Sequence, residues 1–246
     1  MPSRRLVRGY FNSVYNPLYD RTTARLKRYV EAQRLLSQKL QLEPGLRILC
    51  VGLGTGNELA SIRAAASDLE IVGVDYSATA LMRAGRKPAG EAAGTVLLLM
   101  EAQRLGFHDS SFDRVLAYHL TDFLPSPETA AQEMLRVLRP GGRFVISFPS
   151  RGESIGLGLD LIRQGFTGKA HAGSGTRVEG TGMAILAGLV YLPLLLRPRP
   201  NAISLAEIED MLFRNGGEVS SIEHDPVYRD HIVSGTKDSG GQWIET

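Results

Sequence analysis

Cysteine is almost absent from this chain of 246 residues, since Cys50 is the single one. An internal disulfide is therefore excluded, no clustered thiolate metal site is expected, and the reducing cytoplasm is the expected location. No other pattern of residues indicates a metal site. A strong charge of either sign is also missing, because 28 Lys and Arg residues stand against 26 Asp and Glu residues. This balance gives no support for nucleic-acid binding.

Long hydrophobic runs are scarce as well. Residues 180–196 form a stretch of 17 uncharged residues, but three glycines and Pro193 interrupt it, and a bilayer span needs about 20. We expect a buried or interfacial helix there. The basic N-terminus (Arg4, Arg5 and Arg8) continues into Gly-Tyr-Phe-Asn, so we expect no secretory signal. Hydrophobic residues nevertheless make up 43% of the chain, enough for a core, which excludes wholesale disorder.

Basic residues are concentrated before residue 41, where only Asp20 and Glu31 oppose them. A solvated helix face is the simpler interpretation of this excess. The alternative is peripheral contact with an anionic membrane surface, where each base adds ~1 kcal/mol of attraction. The basic residues are Arg4, Arg5, Arg8, Arg21, Arg25, Lys27, Arg28, Arg34 and Lys39.

Short apolar runs alternate with helix-like stretches through the middle of the chain. This alternation predicts an α/β fold with a mostly parallel central sheet and helices on both faces. Such a sheet binds ligands at the carboxyl ends of its strands, near the topological switch point. The predicted strands are Leu46–Val51, Glu70–Asp75, Thr95–Met100, Phe112–Tyr118 and Arg143–Phe148, and the predicted helices are Asn57–Ala66, Ala78–Arg86 and Pro127–Leu138.

Four segments follow from this pattern. Residues 1–44 form an N-terminal helical segment, and residues 45–149 form the core. Residues 150–203 fit no sheet element and are interpreted as an insertion over the active face, after strand five. Residues 204–246 supply a late helix (Ser204–Asn215) and strands at Glu218–His224 and Val227–Val233 that complete the sheet.

A glycine-rich turn follows the first predicted strand directly and allows the backbone to approach a ligand closely. Its sixth position holds Asn57 where a dinucleotide fingerprint has Gly or Ala, and the Lys of a P-loop is missing. About 20 residues further on, Asp75 ends the second strand, where a carboxylate can accept both ribose hydroxyls; the alternative is a helix N-terminal acid. The pair fits any adenosine cofactor. The turn consists of Gly52, Leu53, Gly54, Thr55 and Gly56.

Four ordered motifs resemble the class I S-adenosylmethionine-dependent methyltransferases, most closely the ubiquinone and menaquinone methyltransferase branch. They are ILCVGLGTGNE, VGVDYS, EAQRLGFHDSSFDRVLA and LRVLRPGGRFVIS. The resemblance covers roughly residues 45–149, with a fainter echo at residues 204–217. It implies a Rossmann-like class I methyltransferase fold with a lid insertion after strand five, S-adenosyl-L-methionine as cofactor, and in-line methyl transfer to a small-molecule acceptor.

The resemblance also implies roles for single residues. The three loop glycines pass beneath the methionine part of the cofactor, and Asp75 binds the ribose. For Tyr76 and Tyr118, which the resemblance also assigns to the cofactor, ordinary aromatic packing is the alternative. The other implied contacts are Tyr76 against the adenine, Glu101 at its amino group, Ala102 at its ring edge and Tyr118 as the wall near the sulfonium.

One position departs from the family. Cys50 stands two residues before the first glycine, where the family commonly has Asp or Glu to orient the methionine end. A thiol supplies no such charge, so we expect weaker cofactor binding or a compensating carboxylate, of which Glu58 is nearest in sequence. Alternatively, Cys50 is a small buried hydrophobe.

Candidate residues for catalysis lie after the fourth strand, and candidate residues for acceptor binding lie near the N-terminus. His119 with the neighbouring acid Asp122 forms a candidate general base; a loop histidine with a satisfied ring is the alternative. In enzymes of this family, N-terminal helices and the segment after strand five form the lid and the acceptor pocket. The resemblance therefore implies that residues 1–44 lie on the substrate side, and that Tyr10, Tyr15 and Tyr19, with the helix of residues 183–196, line an apolar pocket for a quinone, isoprenoid or lipid. The alternative is that these residues belong to the core of a larger domain. Two other functions stay open, a non-catalytic partner subunit of the same fold and, less favoured, a nucleotide-dependent oxidoreductase.

Overall fold

The computed structural model describes residues 27–150, 201–226 and 230–239. The expectations for Tyr10, Tyr15, Tyr19 and residues 180–196 fall outside these ranges and stay predictions, as does the lid formed by the insertion. Within the described ranges, no helix combines the length and apolar character that crossing a membrane requires.

The described residues form one seven-stranded sheet with the strand order β3-β2-β1-β4-β5-β7-β6. Strands β1 to β5 pair with their neighbours in parallel, whereas β7 runs antiparallel between β5 and β6. The predicted mostly parallel sheet is thus confirmed. The strands are β1 (Arg47–Val51), β2 (Glu70–Asp75), β3 (Thr95–Leu99), β4 (Phe112–Ala117), β5 (Leu138–Phe148), β6 (Gly217–His224) and β7 (His231–Lys237).

Helices cover both faces of the sheet, and each face has its own apolar core. One core joins α1, α2 and α3 to the sheet, and the other joins α5 and α6 to the opposite face. Central strand β1 is buried on both sides from Ile48 to Val51, which explains its unbroken apolar run. The helices are α1 (Lys27–Leu40), α2 (Leu59–Ala65), α3 (Ala78–Ala84), α4 (Ala89–Ala92), α5 (Pro127–Val137) and α6 (Leu205–Arg214).

Serine caps fix where three helices begin. Ser77 accepts a hydrogen bond from the Ala80 N–H at 3.2 Å, so that α3 begins at Ala78, as predicted. Ser126 caps α5, with Pro127 in its first turn. At α6, Ser204 forms a reciprocal capping box with a glutamate three residues later. Each cap satisfies N–H groups that have no partner within the helix.

The sequence prediction is wrong at the start of β5 and at β7. Residues 139–142 (RPGG) separate the predicted helix Pro127–Leu138 from the predicted strand Arg143–Phe148, but in the structure they are the irregular first part of β5, which already begins at Leu138. The register with β4 jumps from Leu138 to Arg143, because Pro140 offers no N–H and the chain carries extra residues there. Strand β7, expected over residues 227–233, runs over His231–Lys237.

Candidate functional site

A cleft lies at the carboxyl ends of the central strands. The strand order reverses between β1 and β4, which makes this the topological switch point where such sheets bind ligands. The lining residues come from α1, the loops after β1, β2 and β4, and the first turn of α3. They are Tyr29, Gly52, Leu53, Gly54, Thr55, Asn57, Glu58, Asp75, Tyr76, Ser77, Ala80, Tyr118, His119, Leu120 and Phe123.

The glycine loop presents an open stretch of backbone to this cleft. The N–H groups of Gly52 and Leu53 both donate to the Val74 carbonyl, at 2.8 and 3.0 Å, so the loop is fastened to β2. Gly54 has a φ of +57°, and a Cβ there would meet nothing closer than 3.9 Å. Because the space in front of Gly54 is free, a ligand can approach the main chain closely.

Asp75 ties the end of β2 to this loop. It is 8% exposed, and its Oδ2 accepts from the Gly54 N–H at 2.9 Å while Oδ1 accepts from the Ser77 N–H at 2.8 Å. Burial raises the pKa of this carboxyl, and the backbone N–H groups oppose the rise. Each carboxylate oxygen can accept a second hydrogen bond, so the group fits the two hydroxyls of a ribose.

The other predicted cofactor residues are placed unequally. Tyr76 is half-buried and Tyr118 is buried, and both line the cleft. Burial is the largest cause that raises the pKa of Tyr118 and keeps its phenol neutral, followed by the nearby charge of Asp225. Glu101 is exposed and Ala102 is packed in the core. Their adenine contacts stay predictions.

Cys50 is buried in β1 at 1% exposure and belongs to the apolar core. Burial, and then the charge of Glu58, raise the pKa of its thiol, so Cys50 presents no charge to the cleft. Glu58, immediately before α2, is itself only 8% exposed and lines the cleft. Burial raises its pKa from 4.5 to about 7.

His119 lies at the cleft in a strained backbone conformation, with a φ of +54°. Its N–H donates to Ser147 Oγ at 2.6 Å, and its ring meets that of Phe123 edge-on with centroids 5.6 Å apart. Such strain persists only where surrounding contacts fix it, and it concentrates at functional sites.

The acid that holds the His119 ring is Asp230. Its Oδ2 lies 3.2 Å from His119 Nδ1, and Asp230 is 1% exposed. Asp122, the predicted partner, is buried in the short 3-10 helix Thr121–Phe123. The 111 residues between His119 and Asp230 explain why the sequence did not reveal this pair, since it depends on β7 lying beside β5.

Metal ligands do not gather in the part of the chain that the structure describes. No group of three or more His, Cys, Asp or Glu residues is placed there to hold an ion. The described cleft presents open backbone, buried carboxylates, tyrosines and one histidine.

The chain is similar in sequence to a known protein family and to proteins named as methyltransferases. The family model described as a methyltransferase domain matches residues 49–146. The chain is 38% identical over 104 residues to phosphatidylethanolamine N-methyltransferase of Cereibacter sphaeroides, covering 42% of this chain and 50% of that protein. It is 33% identical over 144 residues to demethylmenaquinone methyltransferase of Beutenbergia cavernae, covering 57% of each. The chain thus spans about half the length of these curated relatives.

The fold has relatives among solved structures. Magnesium protoporphyrin IX methyltransferase from Synechocystis with bound SAH superposes with a TM-score of 0.64 at 16% identity, covering 96% of this chain and all of that one. At this identity the likeness concerns the fold, and it agrees with the Rossmann-like class I methyltransferase fold expected from the motifs.

Proposed function

We propose that this chain, whose residues 49–146 match the family model described as a methyltransferase domain, transfers the methyl group of S-adenosyl-L-methionine to a small lipophilic acceptor. The observation that carries the proposal is the open backbone at Gly54 beside the buried Asp75 carboxylate, joined by a hydrogen bond of 2.9 Å. Together they offer close approach for a chain-like ligand and paired acceptors for vicinal hydroxyls.

Different residues of the cleft bind different parts of this cofactor. Asp75 accepts the ribose hydroxyls, Tyr76 flanks the adenine, and the backbone of residues 52–56 follows the methionine part. The cofactor supplies a methyl group already activated on a sulfonium. Buried Tyr118 forms an apolar wall and excludes water, which strengthens the electrostatic interactions inside the cleft.

His119 supplies the proton acceptor when the methylated atom carries a proton. Asp230 accepts a hydrogen bond from Nδ1 and so holds Nε2 available as the basic atom. His119 touches the reacting group in this scheme, whereas Asp230 is a positioning residue.

A lipophilic acceptor is supported by the relatives and by the cleft wall. The two relatives are named for a phospholipid and a quinone precursor. In this chain, Leu120 and Phe123 line the cleft beside His119, so its acceptor side is apolar. Burying an apolar acceptor there removes its surface from water, at about 25 cal/mol per Å².

A transfer assay tests this proposal and the His119 pair together. With tritiated S-adenosylmethionine we expect label in a demethylated quinone or phosphatidylethanolamine, and none in a water-soluble phenol.

Asp230→Asn lowers kcat roughly 10-fold or more on an acceptor that loses a proton, with KM for the cofactor unchanged and the pH profile altered. Asp210→Asn, on the exposed side of α6, is the matched control.

The outcomes separate clearly. Label only in the water-soluble acceptor contradicts the lipophilic class. An Asp230→Asn enzyme with the kcat and pH profile of the parent contradicts the positioning role. Cofactor binding without transfer to any acceptor favours the non-catalytic partner subunit, which Cys50 motivates.

A further inference from the structure

The amino-acid end of the proposed cofactor carries an ammonium group, and position 50 offers it no counter-charge. Cys50 is 1% exposed and packed in the apolar core. Burial raises the pKa of its thiol, so the thiol is neutral and a weak hydrogen-bond partner. A cation entering the cleft needs a carboxylate from elsewhere in the chain.

Glu58 places a carboxylate at this part of the cleft. It lines the same surface as Gly54, Thr55 and Asp75, and it is more than nine-tenths buried. Its charge raises the pKa of the Cys50 thiol, so the Glu58 side chain lies near the position where the family commonly has its acid. In this chain the carboxylate thus stands eight residues after position 50, in the lining of the cleft.

No ion pair within 4.0 Å includes Glu58 among the residues that the structure describes. Lys87 is the nearby cation, but its Nζ donates to Asn57 Oδ1. Burial raises the pKa of Glu58 to about 7, and its own backbone N–H and the charge of Lys87 oppose this rise only in part. An ammonium bound in the cleft would add a positive charge that favours the ionised carboxylate further.

We propose that Glu58 binds the ammonium group of the cofactor's amino-acid end and replaces the acid that Cys50 displaces. This inference rests on the proposed function. It assigns Glu58 to binding, separate from the ribose contact of Asp75 and from the proton transfer at His119.

Two ligands that differ in the amino-acid end test the assignment. S-Adenosylhomocysteine carries the ammonium, whereas 5′-methylthioadenosine keeps the adenosine and thioether and lacks it. By calorimetry we expect Glu58→Gln to weaken S-adenosylhomocysteine roughly 10- to 100-fold, the range for a hydrogen bond to a charged group. Its affinity for 5′-methylthioadenosine stays within twofold of the parent. Glu209→Gln, at an exposed position of α6 outside the cleft, is the matched control.

The pH dependence gives a second readout. Parent affinity for S-adenosylhomocysteine rises between pH 6 and pH 8 as Glu58 loses its proton, and affinity for 5′-methylthioadenosine does not. The other ionisable groups near Glu58 are Asp75, Cys50 and Lys87, and Arg63 lies near Cys50. Tyr76, Tyr118 and His119 line the same cleft. Since Asp75 faces the ribose that both ligands share, the second ligand cancels its contribution. In Glu58→Gln the rise disappears.

Each outcome decides the question. Equal losses for both ligands, or no loss for either, overturn the role of Glu58 while leaving cofactor binding in place. A parent protein that binds neither ligand overturns the proposed function itself. Glu58→Gln keeps the shape of the side chain and removes a buried charge, and a thermal unfolding scan confirms that the variant folds.

Discussion

Asp75 and Glu58 set the electrostatics of the cleft at the scale of single residues. Both are 8% exposed, and the charge of Asp75 contributes to raising the pKa of Glu58, after the larger effect of burial. The backbone N–H groups of Ser77, Gly54 and Tyr76 oppose the effect of burial on the pKa of Asp75. For Glu58 the opposing groups are its own backbone N–H and the charge of Lys87, and its pKa still rises to about 7, so a positively charged ligand would stabilise its ionised form.

The buried Glu58 carboxyl makes stability depend on pH in a defined direction. Its pKa is about 7 in the folded protein against 4.5 normally, so the folded state binds more protons between these values and stability falls as pH rises through them. Glu58→Gln removes this loss. We therefore expect the variant to gain stability relative to the parent as pH rises. The difference in unfolding free energy, variant minus parent, should be about 1–3 kcal/mol larger at pH 8 than at pH 5.

Urea unfolding of the ligand-free protein at the two pH values measures this difference. Glu101→Gln, exposed to solvent, serves as the control and changes little between them. A parent-to-variant difference that is the same at pH 5 and pH 8 would show that Glu58 is not desolvated as the structure has it.

At the scale of elements, strand β7 packs closely against its neighbours β5 and β6 at Gly235. Gly235 in β7 lies opposite Phe144 of β5. A Cβ at Gly235 would come within 2.1 Å of the Glu218 carbonyl oxygen and 2.5 Å of Phe144 Cζ. Because the first of these atoms belongs to the backbone, the strands themselves would have to move.

Gly235→Ala should therefore destabilise the protein by roughly 3 kcal/mol, an overpacking cost at the upper end of the usual range. Chemical denaturation gives the value. In the control Gly106→Ala, the added Cβ would lie 3.5 Å from Met100 Cε, an ordinary contact, and we expect less than about 1 kcal/mol. Equal stability of the two variants would contradict the packing described for β7.

Elements with a local cause could be predicted from the sequence. The predicted starts of α3 at Ala78 and of α5 at Pro127, like the apolar run of β1, depend on neighbouring residues alone, and the structure confirms them. The RPGG segment was mispredicted because a bulge and a turn need the same residue types, and only pairing with β4 distinguishes them.

The candidate site divides in the same way. Gly54 and Asp75 could be found because one strand-helix unit brings them together, and the structure joins them by a hydrogen bond. The contact of Asp230 with His119 could not, since it arises from strand pairing across 111 residues. The burial of Glu58 likewise depends on tertiary packing, and its short distance from the glycine loop in sequence was the only available signal.

At the scale of the whole molecule, sheet topology gathers the chemistry at one edge. Reversal of the strand order between β1 and β4 brings the loops after β1, β2 and β4 to one cleft. The antiparallel strand β7 then places Asp230 beside His119. Two apolar cores, one on each face, hold the sheet that positions these groups.

Calorimetric titration with S-adenosylmethionine, S-adenosylhomocysteine and NAD, on the parent and on Asp75→Ala, tests the central claim most directly. We predict one-to-one binding of the first two ligands and no binding of NAD. In Asp75→Ala, the binding free energy of the first two ligands should be weaker by a few kcal/mol. The exposed-site variant Asp210→Ala should bind like the parent. Absence of binding by either S-adenosyl ligand, or an unchanged affinity in Asp75→Ala, would contradict the claim that this cleft is the cofactor site.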